Sequence, residues 1–208
     1  GMENLDNLGS VNLPDGSHYA TRPVGIEDPN PAPDGANTLA DVALYYWVTD
    51  LRPGTNYPNN LTATTRDPAT WQNVATFTIG LGVNGSKPYD PNYLTNADPT
   101  AFFNRLKAGQ DNWPAVKPVA TYVPTELDLV AWNTTVDDLW HAAVNGHGRY
   151  LNIRSADTLT QGILEILHDL PSGGTGAGIG LSQPDLDTGN RDVYKVSFSS
   201  SGEAGDWS

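Results

Sequence analysis

The 208-residue sequence has no cysteine, and that one absence removes disulfides, thiolate metal sites and cysteine nucleophiles together. It leaves the compartment open, because exported chains need not carry cysteine. Basic residues are scarce: 11 Lys and Arg stand against 24 Asp and Glu, giving a formal net charge of −13. With no basic cluster to overrule that balance, a nucleic-acid backbone would be repelled, so no nucleic-acid partner is expected. No stretch approaches the ~18 apolar residues of a membrane-crossing helix, and the N-terminal MENLDNLGSVNLPDG has neither a basic start nor an apolar run. The chain alone therefore shows no export signal, and Gly1 before Met2 reads as the scar of a cleaved tag. What the sequence has in excess is turn formers, 21 Gly and 16 Pro, so the core must be built from few segments joined by long loops.

Residues 1–37, dense in Asn, Asp, Gly and Pro, read as a loop-rich segment with little core of its own. Thr38 is a good helix N-cap with Asp41 as its reciprocal partner, and Leu39, Val42, Ala43, Tyr46 and Trp47 recur at helical spacing, predicting an amphipathic helix to near Leu51. Asp67-Pro68 predicts a short helix through Trp71. In ATFTIGLGV, Phe77, Ile79, Leu81 and Val83 alternate with Thr and Gly, the period of a strand, and the glycines suggest close packing against an interior strand. Asp98-Pro99 starts a helix with Phe102, Phe103 and Leu106 that Gly109 closes. Asp137 and Asp138 lead a helix ending at Gly146, with only a turn or two expected at 126–132 before it. GRYLNI supplies a second strand, and Ser155 caps a last helix whose Leu159, Ile163, Ile166, Leu167 and Leu170 form an apolar stripe before Pro171. Residues 171–190 have the composition of a Gly/Pro linker, and 191–208 alternate as the first strand of a further, truncated domain. Strands alternating with helices between 75 and 170 predict an α/β fold with a parallel sheet and right-handed crossovers. Two strands are too few for a free-standing open sheet.

Three blocks, TLADVALYYWVTDLRP at 38–53, DPATWQNVATFTIGLGVNG at 67–85 and DDLWHAAVNGHGRYLNI at 137–153, followed by GDWS at 205–208, resemble the PilC/PilY family of type IV pilus biogenesis and adhesion proteins. The blocks cover about half the chain. The resemblance implies a partial von Willebrand factor A-like, Rossmann-like parallel sheet over 38–170 with flanking helices and long loops, then a linker and the first strand of a β-propeller. It also implies a non-enzymatic module of a longer exported parent at the cell surface or outer membrane. Such a module would act through contacts with pilus or pilus-assembly proteins and with a host or abiotic surface, with links to virulence. The adhesion metal site of A domains uses D-x-S-x-S after a first strand; Asp15-Gly16-Ser17-His18-Tyr19 departs from that pattern and has no hydrophobic strand before it, so a polar turn is expected there. The family's calcium site lies in the propeller.

Other candidate residues have bland readings beside the chemical ones. Asp185, Asp187 and Asp192, with Gly189, resemble an acidic calcium loop without the EF-hand register, so calcium competes with a solvated linker turn and no other cofactor is implied. Glycines 173, 174, 176, 178 and 180 lack both a dinucleotide pattern and a phosphate-binding Lys. His18, His141, His147 and His168 could suggest zinc, but a stacking or capping role for His141 and His147 is the default. Loop aromatics Tyr57, Tyr89, Tyr93, Trp113 and Trp132 could form a partner-contact surface or pack loops onto the sheet. An alternative reading is a carbohydrate-binding or glycoside-hydrolysing module that uses these aromatics with acidic residues. Unpaired sheet edges would allow a homo-oligomer.

Overall fold

The computed structural model describes residues 4–20, 37–116 and 129–169. Thr38 acts as its position predicts: its Oγ1 accepts the Asp41 amide at 3.2 Å while the Asp41 carboxylate accepts the Thr38 amide at 3.2 Å. This reciprocal box starts α1, Leu39–Val48. The helix stops short of Leu51 because Thr49 turns extended and its hydroxyl donates to the Tyr45 carbonyl at 2.6 Å. Its buried face is Ala40, Ala43, Leu44 and Trp47, whereas Leu39 and Tyr46 are exposed. The predicted stripe was out of phase, because Ala40 and Ala43 meet Ala142 of a later helix and small side chains let the two backbones approach.

Residues 4–20 are more ordered than their composition suggests. A 3₁₀ turn at Leu5–Asn7 is followed by β1, Ser10–Asn12, antiparallel to β2, His18–Ala20. The turn between the two strands is polar: the Asp15 carboxylate accepts the Ser17 amide at 2.9 Å and its hydroxyl at 2.6 Å. The predicted helix at 67–71 is absent. That stretch is extended, because the Asp67 carboxylate accepts from the Trp47 indole at 2.8 Å and the Trp71 indole donates to the Trp47 carbonyl at 2.7 Å, pinning the backbone along α1.

β3, Thr76–Leu81, and β4, His147–Ile153, form a parallel pair, with Ile79 opposite Leu151 and Leu81 opposite Ile153. Between them in sequence lie α2, Phe102–Lys107, and α3, Leu129–Asn145. α4, Ala156–Asp169, follows β4, its first turn closed by the Ser155 hydroxyl accepting the Thr158 amide at 3.2 Å. α3 lies on one face of the pair, where the Thr78 hydroxyl donates to the Leu139 carbonyl at 2.6 Å. α4 lies on the other, where a Cβ on Gly162 would sit 2.7 Å from Leu151. The architecture is thus mixed α/β with a parallel pair between helices, compatible with part of a Rossmann-like domain.

Two expectations fail on burial. Among the described residues β3 pairs only with β4, and Ile79 is 38% and Leu81 66% exposed, so β3 is an edge strand rather than an interior one. The apolar stripe of α4 is only partly covered, with Ile163 and Leu167 exposed. α3 begins well before Asp137, so the two aspartates lie within the helix and not at its start.

Candidate functional site

The largest cluster of side chains is structural. Trp140 of α3 is 1% exposed and sits at the centre of a ring set: Tyr93 at 5.1 Å, Tyr89 at 5.3 Å, Trp113 at 5.4 Å and Phe102 at 5.5 Å between centroids. Tyr93 and Trp113, weighed as partner contacts, are buried members of this core and present no ring to a partner. Tyr89 is half-buried, its hydroxyl donating to the Tyr150 carbonyl at 3.0 Å, and burial pushes its phenol up to about 12. Tyr57 is exposed, with the Arg52 guanidinium 4.0 Å from its ring centre, and the side chain of Trp132 lies outside the described residues.

His141 and His147 do not converge on a common point; each stacks on an indole. His141 lies 4.8 Å from Trp113 at 17°, and His147 lies 3.8 Å from Trp47 at 17°. His147 is also held at φ 55° with Nδ1 2.8 Å from the Arg66 carbonyl, and burial lowers its pKa. Among the described residues no three His, Asp or Glu side chains are placed to hold a metal. His18 is exposed on β2, and His168 lies in α4. Asp185, Asp187 and Asp192 lie outside the described residues.

Sequence reasoning missed the buried carboxylates. Asp6, Asp41, Asp137 and Asp138 are all under a tenth exposed in a strongly acidic chain, and each is satisfied by donors. Asp138 accepts the Leu39 and Ala40 amides at 2.9 and 3.3 Å, so a residue in the body of α3 caps the start of α1. Asp137 accepts the Ser86 amide at 2.8 Å, its hydroxyl at 2.5 Å and the Lys87 amide at 3.2 Å, fixing the loop after β3. Burial raises the Asp137 pKa, and those donors oppose the shift. Asp41 accepts the Leu5 amide at 2.7 Å, and Asp6 takes the Asn145 amide at 3.1 Å, tying the N-terminal segment to α1 and α3. A signal was available: Trp132, Val136, Leu139 and Trp140, then Ala143, keep helical spacing straight through the two aspartates.

Among the described residues, the surface with the character of an interface is the unpaired edge of β3. Beside it is an apolar groove of about 340 Å³ lined by Ile79, Leu81, Val83, Val136 and Leu139. No charged residue occurs from Pro68 to Ser86. Solvent-facing edge strands ordinarily carry a charge, a proline or a bulge that deters pairing; the register shift of this strand lies between Thr76 and Thr78, and from Thr78 to Leu81 the edge carries none of these.

Comparison with curated proteins gives three similar sequences. The type IV pilus biogenesis factor PilY1 of Pseudomonas aeruginosa strain PAO1 is 32% identical over 220 residues, covering 95% of this chain and 17% of that protein. PilY1 of strain PAK is 32% identical over 212 residues, covering 92% of the chain and 16% of that protein, and PilY1 of strain UCBPP-PA14 is 31% identical, covering 79% and 14%. The chain therefore spans about one-sixth of the length of the relatives it matches. No protein-family model matches the chain, and no solved structure matches it significantly.

Proposed function

This chain belongs to the PilC/PilY family of type IV pilus biogenesis proteins as a segment, and on that premise we propose that it is the later part of a von Willebrand factor A-like domain in a longer parent. The module is non-enzymatic, lies at the cell surface or outer membrane, and serves pilus biogenesis and adhesion through protein contacts. The observation that carries this reading is the β3 edge. An uncharged parallel strand with an unused side, next to an apolar groove, is what an open α/β sheet leaves when its neighbouring strand is supplied from elsewhere in the parent or assembly.

The test is made in the bacterium with the full-length parent gene. Lysine at both Ile79 and Leu81 is expected to lower the pilin sheared from the surface several-fold, with lysine at the exposed Leu164 of α4 as control. Pilin recovery equal to that of the unaltered parent would overturn the reading.

A further inference from the structure

Asn-Gly occurs twice in the sequence, at 84–85 and at 145–146. The dipeptide is chemically weak: glycine has no side chain to shield its amide, so that nitrogen can close onto the side-chain carbonyl of the asparagine before it. Along the chain the two steps are equivalent, but their surroundings differ in every respect that matters to this reaction.

At 145–146 the reacting groups are engaged. Asn145 is fully buried at the end of α3, its side-chain amide donating to the Asp6 carboxylate at 3.1 Å and to the Ala40 carbonyl at 3.3 Å. The Gly146 amide, which would be the nucleophile, donates to the Ala142 carbonyl at 2.9 Å. That helical bond holds the nitrogen away from the side chain, and burial excludes the water that completes the reaction. At 84–85 the opposite holds. Asn84 is exposed in the loop after β3, and among the described residues the Gly85 amide meets no acceptor. Asp137 holds the next two amides, of Ser86 at 2.8 Å and Lys87 at 3.2 Å, so the loop is fixed while its weak step stays open. Arg154, exposed just after β4, donates from its guanidinium to the Asn84 Oδ1. A cationic donor on that oxygen draws electrons from Cγ and faces the charge that attack places there.

We propose that Asn84 is a site of spontaneous deamidation in the folded chain, with the Arg154 guanidinium stabilising the oxyanion on Oδ1. The Gly85 amide loses its proton to solvent hydroxide and its nitrogen bonds to Asn84 Cγ, moving the carbonyl electron pair onto Oδ1. Collapse of that oxyanion breaks the Cγ–Nδ2 bond, and Nδ2 leaves as ammonia with a proton from water. Water then opens the resulting succinimide at either carbonyl, leaving aspartate or isoaspartate at position 84. The net change is an amide and a water converted to a carboxylic acid and ammonia, with nothing oxidised or reduced. Either product sets a carboxylate beside Arg154, so a cation on a neutral partner becomes half of an ion pair. Isoaspartate also adds a carbon to the main chain just before the amides that Asp137 holds. None of this rests on the β3 edge.

The test incubates the purified chain in neutral and in mildly alkaline buffer, both folded and in urea. Digested peptides carrying 84–85 and 145–146 are followed by chromatography and mass spectrometry, which together separate asparagine, aspartate and isoaspartate. In the folded chain, position 84 is expected to convert, faster at the higher pH, and position 145 to stay intact over a period in which both convert in urea. Arg154→Gln is expected to slow conversion at 84 about fivefold in the folded chain, an exposed donor giving less than the factor of about a hundred that an enclosed oxyanion donor supplies. Its rate in urea should be unchanged, and its thermal midpoint should hold because Arg154 is exposed. A residue that merely tethered the loop would give the opposite sign, since freeing the loop speeds ring closure. Arg52→Gln, whose guanidinium lies on Tyr57, is the control. An intact Asn84 while the urea sample converts, conversion of 145 in step with 84, or an Arg154→Gln rate equal to or above that of the unaltered chain would each overturn the proposal.

Discussion

Asp137 shows how a buried charge can organise a loop. Its carboxylate holds three donors from Ser86 and Lys87, and a Cβ on Gly85 would sit 1.9 Å from its Oδ1, so loop and carboxylate are fitted to each other. Asp137→Ala leaves those donors facing a void and is expected to cost about 3 kcal/mol in urea unfolding. Its raised pKa has a definite sign: the contribution is present in full below the ordinary 3.8 and is lost as pH rises through the higher folded value. His147 works in the other direction. Burial depresses its pKa below 6.5, so its contribution is present above 6.5 and is lost as pH falls through the folded value. His147→Asn, which tolerates the positive φ, should therefore destabilise the chain less at pH 5 than at pH 7. The gap is at most about 1.4 kcal/mol per pH unit and is read from thermal or urea midpoints at the two values.

At the scale of elements, the parallel pair depends on close approach. A Cβ on Gly148 would lie 2.0 Å from the Thr76 carbonyl oxygen, and one on Gly146 would lie 2.5 Å from the Thr76 Cβ. Neither neighbour is a flexible side-chain tip, so relief requires β4 to move away from β3. Gly148→Ala is expected to cost about 2 kcal/mol and to speed amide exchange along 76–81 and 147–153, as hydrogen-exchange mass spectrometry would show. The same elements show what was legible in the sequence. The Thr38–Asp41 box, the period-two run at 76–81 and the Ser155 cap are local signals, and each marks an element where it was expected. The helix predicted at 67–71 failed because a tertiary contact, Asp67 on the Trp47 indole, outweighed a local Asp-Pro start. The phase of α1 was misread because which side is buried depends on the alanines that face α3.

At the scale of the molecule, the exposed β3 edge has a consequence in isolation. Because that edge is unpaired among the described residues, the chain at high concentration is expected to self-associate through it. Leu81→Lys should reduce that association, measured by sedimentation velocity over a concentration series. Equal association of the two proteins would place the contact elsewhere, the exposed Ile163 and Leu167 face of α4 being the next candidate. A lysine also lowers the magnitude of the chain's net charge of −13, which by itself favours association, so Thr160→Lys on the exposed part of α4 is the matched control.

The sequence by itself determined the α/β class, the approximate place of most helices and strands, and the kinship with pilus biogenesis proteins, because caps, periodicity and block order are properties of neighbours along the chain. Only the tertiary structure decided that Tyr93 and Trp113 are core, that Asp137 and Asp138 serve segments some fifty and a hundred residues away, and that among the described residues one side of β3 is unpaired. Burial and long-range hydrogen bonding depend on what folds against a residue, and spacing along the chain does not encode that.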